Sequence, residues 1–395
     1  MGSAAGASKP PDHREISGQT QAYGVQWPAR VRPGGLPGDA APWHDRSWQR
    51  GPVEGPAGHP ATHVRIMEQA ALKPDISRIQ DLVAKDMQAV DERLARRLKS
   101  EVPLISQLGA YIISAGGKRL RPLIALLSAR AAGYQGQAHV DIAVIVELIH
   151  TATLLHDDVV DESNMRRGRD TANLVWGNAA SVLVGDFLYS RAFQGMIDVG
   201  DFRVLEILAD ATNTIAEGEV MQLVNCHDPD ITEQRYLDTI RYKTAKLFEA
   251  ASELGVVISG RDATREAAMA RFGRHLGTAF QLVDDVLDYQ ADPEDLGKNI
   301  GDDLAEGKPT LPLLYAMWNG SEAESATVRH AIEHGGLEQI DAIMALIEST
   351  GAIAYTAQLA EREVGEALDA LSVMPESPYS EALATLAEFA VQRTS

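Results

Sequence analysis

The sequence predicts an all-α fold: a large, single-domain helical bundle around a central cavity. Three observations carry that prediction. From about Asp75 to the C-terminus, apolar residues recur with a 3.6-residue period in one segment after another. No alternating run of strand type reaches a convincing length, and no short solenoid period repeats. Two of the apolar helices end in clustered aspartates, LLHDDVVDE and QLVDDVLDY, which would repel one another unless something positive sits between them. With 395 residues, 45% of them hydrophobic, the chain has material for a sizeable core.

Residues 1 to about 65 differ in kind. RPGGLPGDAAPW and RGPVEGPAGHPATH are rich in Gly, Pro and polar residues and lack any apolar period. Such a composition buries too little surface to offset chain entropy, so this extension is expected to be disordered. It has no apolar run of signal-peptide length. The helical domain is expected to span residues 75–395. Its first helix starts at Asp75, a plausible N-cap, and places Ile76, Ile79, Leu82, Val83, Met87, Val90 and Leu94 on one face. A second helix covers about Pro103 to Ser114 and ends at Gly116-Gly117. Then comes GGKRLRP, where Pro122 suits the first position of the next helix. Lys118 and Arg121 thereby stand at a helix N-terminus, which already favours an anion.

The stretch Glu147 to Gly168 begins as a helix with hardly any polar face and ends in Asp157, Asp158 and Asp161, followed by Arg166 and Arg167. Asp157 and Asp161 are four residues apart and share a helix face. Mg²⁺ is the natural ion for such a pair, because it takes oxygen ligands and is held by one or two carboxylates plus substrate phosphates. Further helices follow, carrying RYKTA (Arg241–Ala245). Asp284, Asp285 and Asp288 then repeat the first motif's spacing, with Gln281 one turn before them on the same face. Two such helices facing each other would form a carboxylate mouth over an apolar interior, suited to gripping a diphosphate through several Mg²⁺ ions. Four shorter helices are expected after the second acidic one.

Together with GGKRLRP, RYKTA and GKNIGDDLAEGKPTLPL (Gly297–Leu313), the two acidic motifs resemble the trans-isoprenyl diphosphate synthases (polyprenyl synthetases). The resemblance covers residues from about Asp75 to the end. It implies a prenyltransferase that condenses isopentenyl diphosphate with an allylic diphosphate by ionisation, condensation and elimination. It further implies about three Mg²⁺, held by Asp157, Asp161 and Asp284 with Asp158, Asp285 and Asp288 around them. Lys118, Arg121, His150 and Arg167 would hold the isopentenyl diphosphate, and Arg166 and Lys243 the allylic one, with Lys298 a further diphosphate ligand. Thr244 and Gln281, beside Lys243, would line the reacting carbon. Lys308 reads as a loop anchor, and Asp302 and Asp303 as groups that orient these lysines. A homodimer is the family's usual state.

Charge and cysteine bound the rest. The net charge of −20 argues against nucleic acid as a partner, but not against a diphosphate held by local Lys and Arg. The single cysteine, Cys226, excludes an internal disulfide and a cysteine-rich zinc site, and fits a reducing cytoplasm. Glu147 and His150 interrupt the most apolar helix, so no membrane span is expected, although release of the product can involve a membrane. A class I terpene cyclase would carry a different second metal motif, and a non-catalytic partner subunit would have degraded motifs. In the family's short-chain members an aromatic commonly stands four or five residues before the first Asp. Those positions here hold Ala152 and Thr153, both small. The implied gate is open and the product long, about six to ten isoprene units at one helical turn per unit. Phe187 and Tyr189 are candidates for a deeper floor.

Overall fold

The computed structural model describes residues 76–114, 116–260, 262–290 and 301–392. The N-terminal extension, the cap at Asp75 and Lys298 lie outside the described residues. Apart from one small hairpin, the described elements are helices. In order they are α1 (Ile76–Leu82), α2 (Ala84–Arg97), α3 (Pro103–Ser114), α4 (Leu120–Ala131) and α5 (Ala138–Val160), then the hairpin strands β1 (Met165–Arg166) and β2 (Arg169–Asp170). There follow α6 (Ala172–Trp176), α7 (Asn178–Val199), α8 (Phe202–Asn225), α9 (Glu233–Ile240), a π-helical turn at Arg241–Ala245, α10 (Lys246–Gly260) and α11 (Ala263–Gln290).

The C-terminal part holds more helices than the sequence suggests: a single turn at Asp302–Ala305, then Leu311–Asn319, Glu322–His334, Ile340–Thr350, Ala352–Leu371 and Pro378–Gln392. Gly351, at φ 72°, divides two of them, because a left-handed residue cannot continue an α-helix.

The core explains the arrangement. Helix α5 is buried along most of its length, with Ile142, Ala143, Ile149, Ala152 and Leu155 wholly inaccessible. It packs against α2, α4, α7 and α10. By length and apolarity α5 could cross a membrane, yet 72% of its most apolar window is buried inside the bundle, as for a core helix. Helix α11 joins two hydrophobic clusters. Its Phe272, Leu276 and Ala279 belong to the cluster around α5, and its Leu282 and Val283 to a second one built on Leu311–Met317. The second acidic motif therefore begins where α11 passes from one cluster to the other.

Local sequence sets the elements that carry the site. Pro122 is third in α4 rather than first, a position equally tolerant because none of the first N–H groups of a helix has an intrahelical acceptor. Gly218 of α8 lies so close to the backbone of Lys243 that a Cβ would overlap it, so only glycine lets α8 brace the π-helical turn. π-turns of this kind concentrate at functional sites.

Candidate active site

A cavity of about 580 Å³ opens where α4, α5, α8, α9, α11 and the π-turn converge. One side is basic. Lys118, Arg121, His150 and Arg167 all line it, as the sequence implied. The chain reaches this geometry through two strained residues: Arg119 caps α4 at φ 48°, and Arg167 turns the β1–β2 hairpin at φ 55° beside Gly168 at 70°. Each such non-glycine residue costs about 1–2 kcal/mol. The hairpin turn swings Arg167 back so that its guanidinium donates to the Gly116 carbonyl. The Gly117 position favours glycine because its φ of 147° is one that L side chains rarely adopt, and the Arg167 guanidinium lies against it.

Arg121 donates to His150 Nε2 at 3.2 Å and lies 4.4 Å over the Phe248 ring. Because guanidinium only donates, Nε2 must accept, and the imidazole proton sits on Nδ1. Burial, with Arg121 and Arg167 beside it, holds His150 well below its ordinary value, so the ring is neutral. Glu147 lies beneath this group, paired with Arg119 at 2.7 Å. Burial pushes its carboxyl up, while Arg119 and Arg121 pull it back down. In the sequence Glu147 stands out only as an interruption of the apolar helix, whereas in the fold it anchors Arg119.

The opposite side is acidic. Asp157 and Asp161 from α5 and Asp284 and Asp288 from α11 line the cavity together. Two lysines answer them. Lys243 Nζ is 2.7 Å from Glu219 and 4.0 Å from Asp157, and Lys308 Nζ is 2.8 Å from Asp161. Burial opposes both ammonium charges, but the neighbouring carboxylates outweigh it and both are shifted upward. Burial pushes Glu219 up to about 7, with Asp157 adding to the effect and Lys243 opposing it. Lys308, expected as a loop anchor, is part of the site itself. Asp303, expected beside the lysines, lines the same wall and raises Lys308 further. Arg166 also reaches the cavity.

Asp158 and Asp285, expected around the metal-holding aspartates, are each held by another side chain, and Asp285 also lines the cavity. Asp158 is wholly buried and receives Arg166 Nε at 2.7 Å. Asp285 accepts from the Tyr236 hydroxyl at 2.5 Å and from Gln281 Nε2 at 2.8 Å. Adjacent helical residues are about 100° apart, so the second Asp of each pair is turned from the first toward neighbouring elements, where Arg166 and Tyr236 meet it. Thr244 and Gln281 do meet, with Thr244 Oγ1 donating to Gln281 Oε1 at 3.0 Å.

The two expected gate positions lie differently. Thr153 lines the cavity, whereas Ala152, five residues before Asp157, is turned away and buried in packing. Phe187 and Tyr189 are outside the cavity lining: Phe187 carries the Arg191 guanidinium at 4.9 Å, and Tyr189 stacks on His156. Glu219 and Tyr236 were missed, and no motif in the sequence flags either.

The carboxylate oxygens of the acidic side suit a hard divalent cation, and the lysines among them suit a phosphate. A family profile described as polyprenyl synthetase matches residues 102–349. The octaprenyl diphosphate synthase of Escherichia coli is 54% identical over 320 residues, spanning 81% of this chain and 99% of that enzyme. Among solved structures, the polyprenyl synthase of Caulobacter crescentus, complexed with calcium and isoprenyl diphosphate, superposes with a TM-score of 0.79 at 45% identity. That match covers 82% of this chain and 99% of the other. The decaprenyl diphosphate synthase of Rhodobacter capsulatus gives 0.78 at 46% identity, covering 81% and 100%.

Proposed function

This chain belongs to the polyprenyl synthetase family, and from that premise we propose the following reading of its site. The protein is a polyprenyl diphosphate synthase, a prenyltransferase that elongates an allylic diphosphate with isopentenyl diphosphate into a long all-trans chain. One observation carries the reading: two acidic helices, α5 and α11, face a single cavity whose other side holds a separate cationic cluster. Such a cavity accommodates two diphosphates at once, one through carboxylates and cations, the other through Lys118, Arg121 and Arg167.

Asp157, Asp161, Asp284 and Asp288 would hold about three Mg²⁺, which neutralise the allylic diphosphate and make it a better leaving group. Lys243 and Lys308 exchange their carboxylate partners for its oxygens. Lys118, Arg121 and Arg167 bind the isopentenyl diphosphate, with neutral His150 as an acceptor that aligns Arg121. The allylic C–O bond breaks with its electron pair going to the diphosphate. The isopentenyl double bond then attacks the cation, and a proton is lost to the departing diphosphate. The Thr244 oxygen presents its lone pairs to the cation. Leu154 and Phe280 on the cavity wall help exclude water.

The outer faces of α7 and α8 support a homodimer. Leu183, Ile197 and Phe202 are 67–78% exposed, and Val220, Leu223 and Val224 continue the apolar surface. A cytoplasmic location fits this reading, because both substrates are charged diphosphates and the chain's single cysteine suits a reducing compartment. The direct test incubates the protein with Mg²⁺, isopentenyl diphosphate and farnesyl diphosphate and resolves the products by length, with light scattering for the oligomer. Products of six or more units support the reading. Cyclic hydrocarbons, or no condensation, contradict it.

A further inference from the structure

We propose that Tyr236 is a positioning residue for the condensation: through Asp285 it fixes which way the Gln281 amide points, and so turns the oxygen lone pairs of Thr244 onto the reacting carbon. The proposal rests on the enzymatic reading above and extends it to a residue that no motif marks.

The geometry is a chain of three hydrogen bonds across three segments. Tyr236 on α9 donates its hydroxyl to Asp285 Oδ2 at 2.5 Å. Asp285 Oδ1 accepts from Gln281 Nε2 at 2.8 Å, one turn back along α11. Gln281 Oε1 accepts from Thr244 Oγ1 at 3.0 Å, in the π-turn. Both Tyr236 and Asp285 are buried.

Each link dictates the next. Burial pushes Asp285 up to about 8, yet Oδ1 remains an acceptor whether the group is ionised or carries its proton on Oδ2 beside Tyr236, so the Gln281 face toward Asp285 is its NH₂. The Gln281 carbonyl oxygen is then left facing Thr244, and an oxygen facing a hydroxyl makes that hydroxyl donate. Thr244 thereby commits its one proton to Gln281 and keeps lone pairs for the cavity. With the amide reversed, NH₂ would face Thr244. The hydroxyl would accept there and aim its positive end at the developing cation, the wrong sign for stabilising it. Tyr236 secures the start of the chain. Without its proton, Asp285 Oδ2 would be a buried acceptor with no donor from α9, and the carboxylate could rotate away from Gln281.

The test uses the full chain with Mg²⁺, isopentenyl diphosphate and farnesyl diphosphate, measuring a single condensation. Tyr236→Phe keeps the ring and removes the hydroxyl. We expect kcat to fall about 10- to 100-fold, in the range for supporting residues one layer from the chemistry. The KM of both diphosphates and the Mg²⁺ half-saturation should stay within about twofold, and the melting temperature of the folded protein should be close to wild type. Combined with Thr244→Val, Tyr236→Phe should cost less than about twofold more, because both act through one hydroxyl. Asp285→Asn provides a second variant should Tyr236→Phe fold poorly, and it should show the same fall and the same non-additivity. Normal kcat in either variant, or losses that multiply with Thr244→Val, overturns the proposal. A wild-type chain with no condensation activity would instead overturn the enzymatic reading and the proposal with it, so the two failures are distinguishable.

Discussion

The ammonium of Lys308 lies 2.8 Å from Oδ2 of Asp161, joining the loop before Leu311–Asn319 to the acidic end of α5. Lys243 answers Asp157 and Glu219 in the same way from the π-turn. Fixed lysines thus offset part of the negative charge at the acidic end of α5.

That offset separates folding from catalysis. Asp157→Asn or Asp284→Asn should lower turnover by orders of magnitude, and EDTA should abolish it. Helical circular dichroism should persist in each case, with a melting temperature in EDTA close to that in Mg²⁺ without substrate. Near-normal turnover in either variant, measured with saturating substrates, would contradict the assignment of these carboxylates.

The cationic groups divide by substrate. Arg121→Ala should weaken isopentenyl diphosphate most, whereas Lys243→Ala and Lys308→Ala should weaken the allylic diphosphate most. Each loses a charge-assisted contact worth about 1.5–3 kcal/mol, or tens of fold in binding. Steady-state kinetics with each substrate varied separately reads this out. Equal weakening of one substrate by all three variants would mean that the two sides of the cavity do not serve two diphosphates.

Much of this site was legible in the sequence because its chemistry is written in motifs. Lys118, Arg121, His150, Arg167, Lys243, Thr244 and Gln281 all reach the cavity. What the sequence concealed depends on tertiary contact. Asp158 and Asp285 look identical to their neighbours in the string, and only the helical turn assigns them to Arg166 and Tyr236. Glu219 and Tyr236 carry no local signal at all, since each is defined by what packs opposite it. The helices were legible for the same reason the gate was only half legible. Periodicity shows which face is buried, but not whether it meets a cavity or another helix, and Ala152 meets packed neighbours while Thr153 meets the cavity.

His150 gives the protein a definable acid sensitivity. Burial and the adjacent Arg121 and Arg167 hold its folded-state pKa well below the value of about 6.5 it takes when unfolded. Above that value neither state binds the proton, and the full stability is present. As pH falls below it, the unfolded chain takes up a proton that the folded ring refuses, so stability is lost progressively down to the folded-state pKa. His150→Asn keeps an acceptor for Arg121 and removes the titration. The drop in melting temperature between pH 7.5 and 5.5 should be smaller in that variant than in wild type. An equal drop would show that His150 is protonated in the fold.

Product length turns on Thr153. It stands one helical turn before Asp157, lines the cavity, and ties its hydroxyl to the His150 carbonyl at 2.9 Å, which leaves its methyl side available to the wall. A chain growing from a diphosphate held at Asp157 must pass this point after its first additions, since one turn of about 5.4 Å is close to the reach of one isoprene unit. Thr153→Phe should therefore place a ring across that path and shift the products to three or four units, while the first condensation persists. Ala152→Phe acts differently, because Ala152 is wholly buried and a ring there must first displace packed neighbours, costing about 1–3 kcal/mol of stability. Resolving products by length alongside melting curves separates the two: Thr153→Phe should shorten the product at nearly unchanged melting temperature, and Ala152→Phe should lower the melting temperature whatever it does to the product. If Thr153→Phe still makes full-length chains, the growing tail does not descend along α5 and must leave the cavity by another wall.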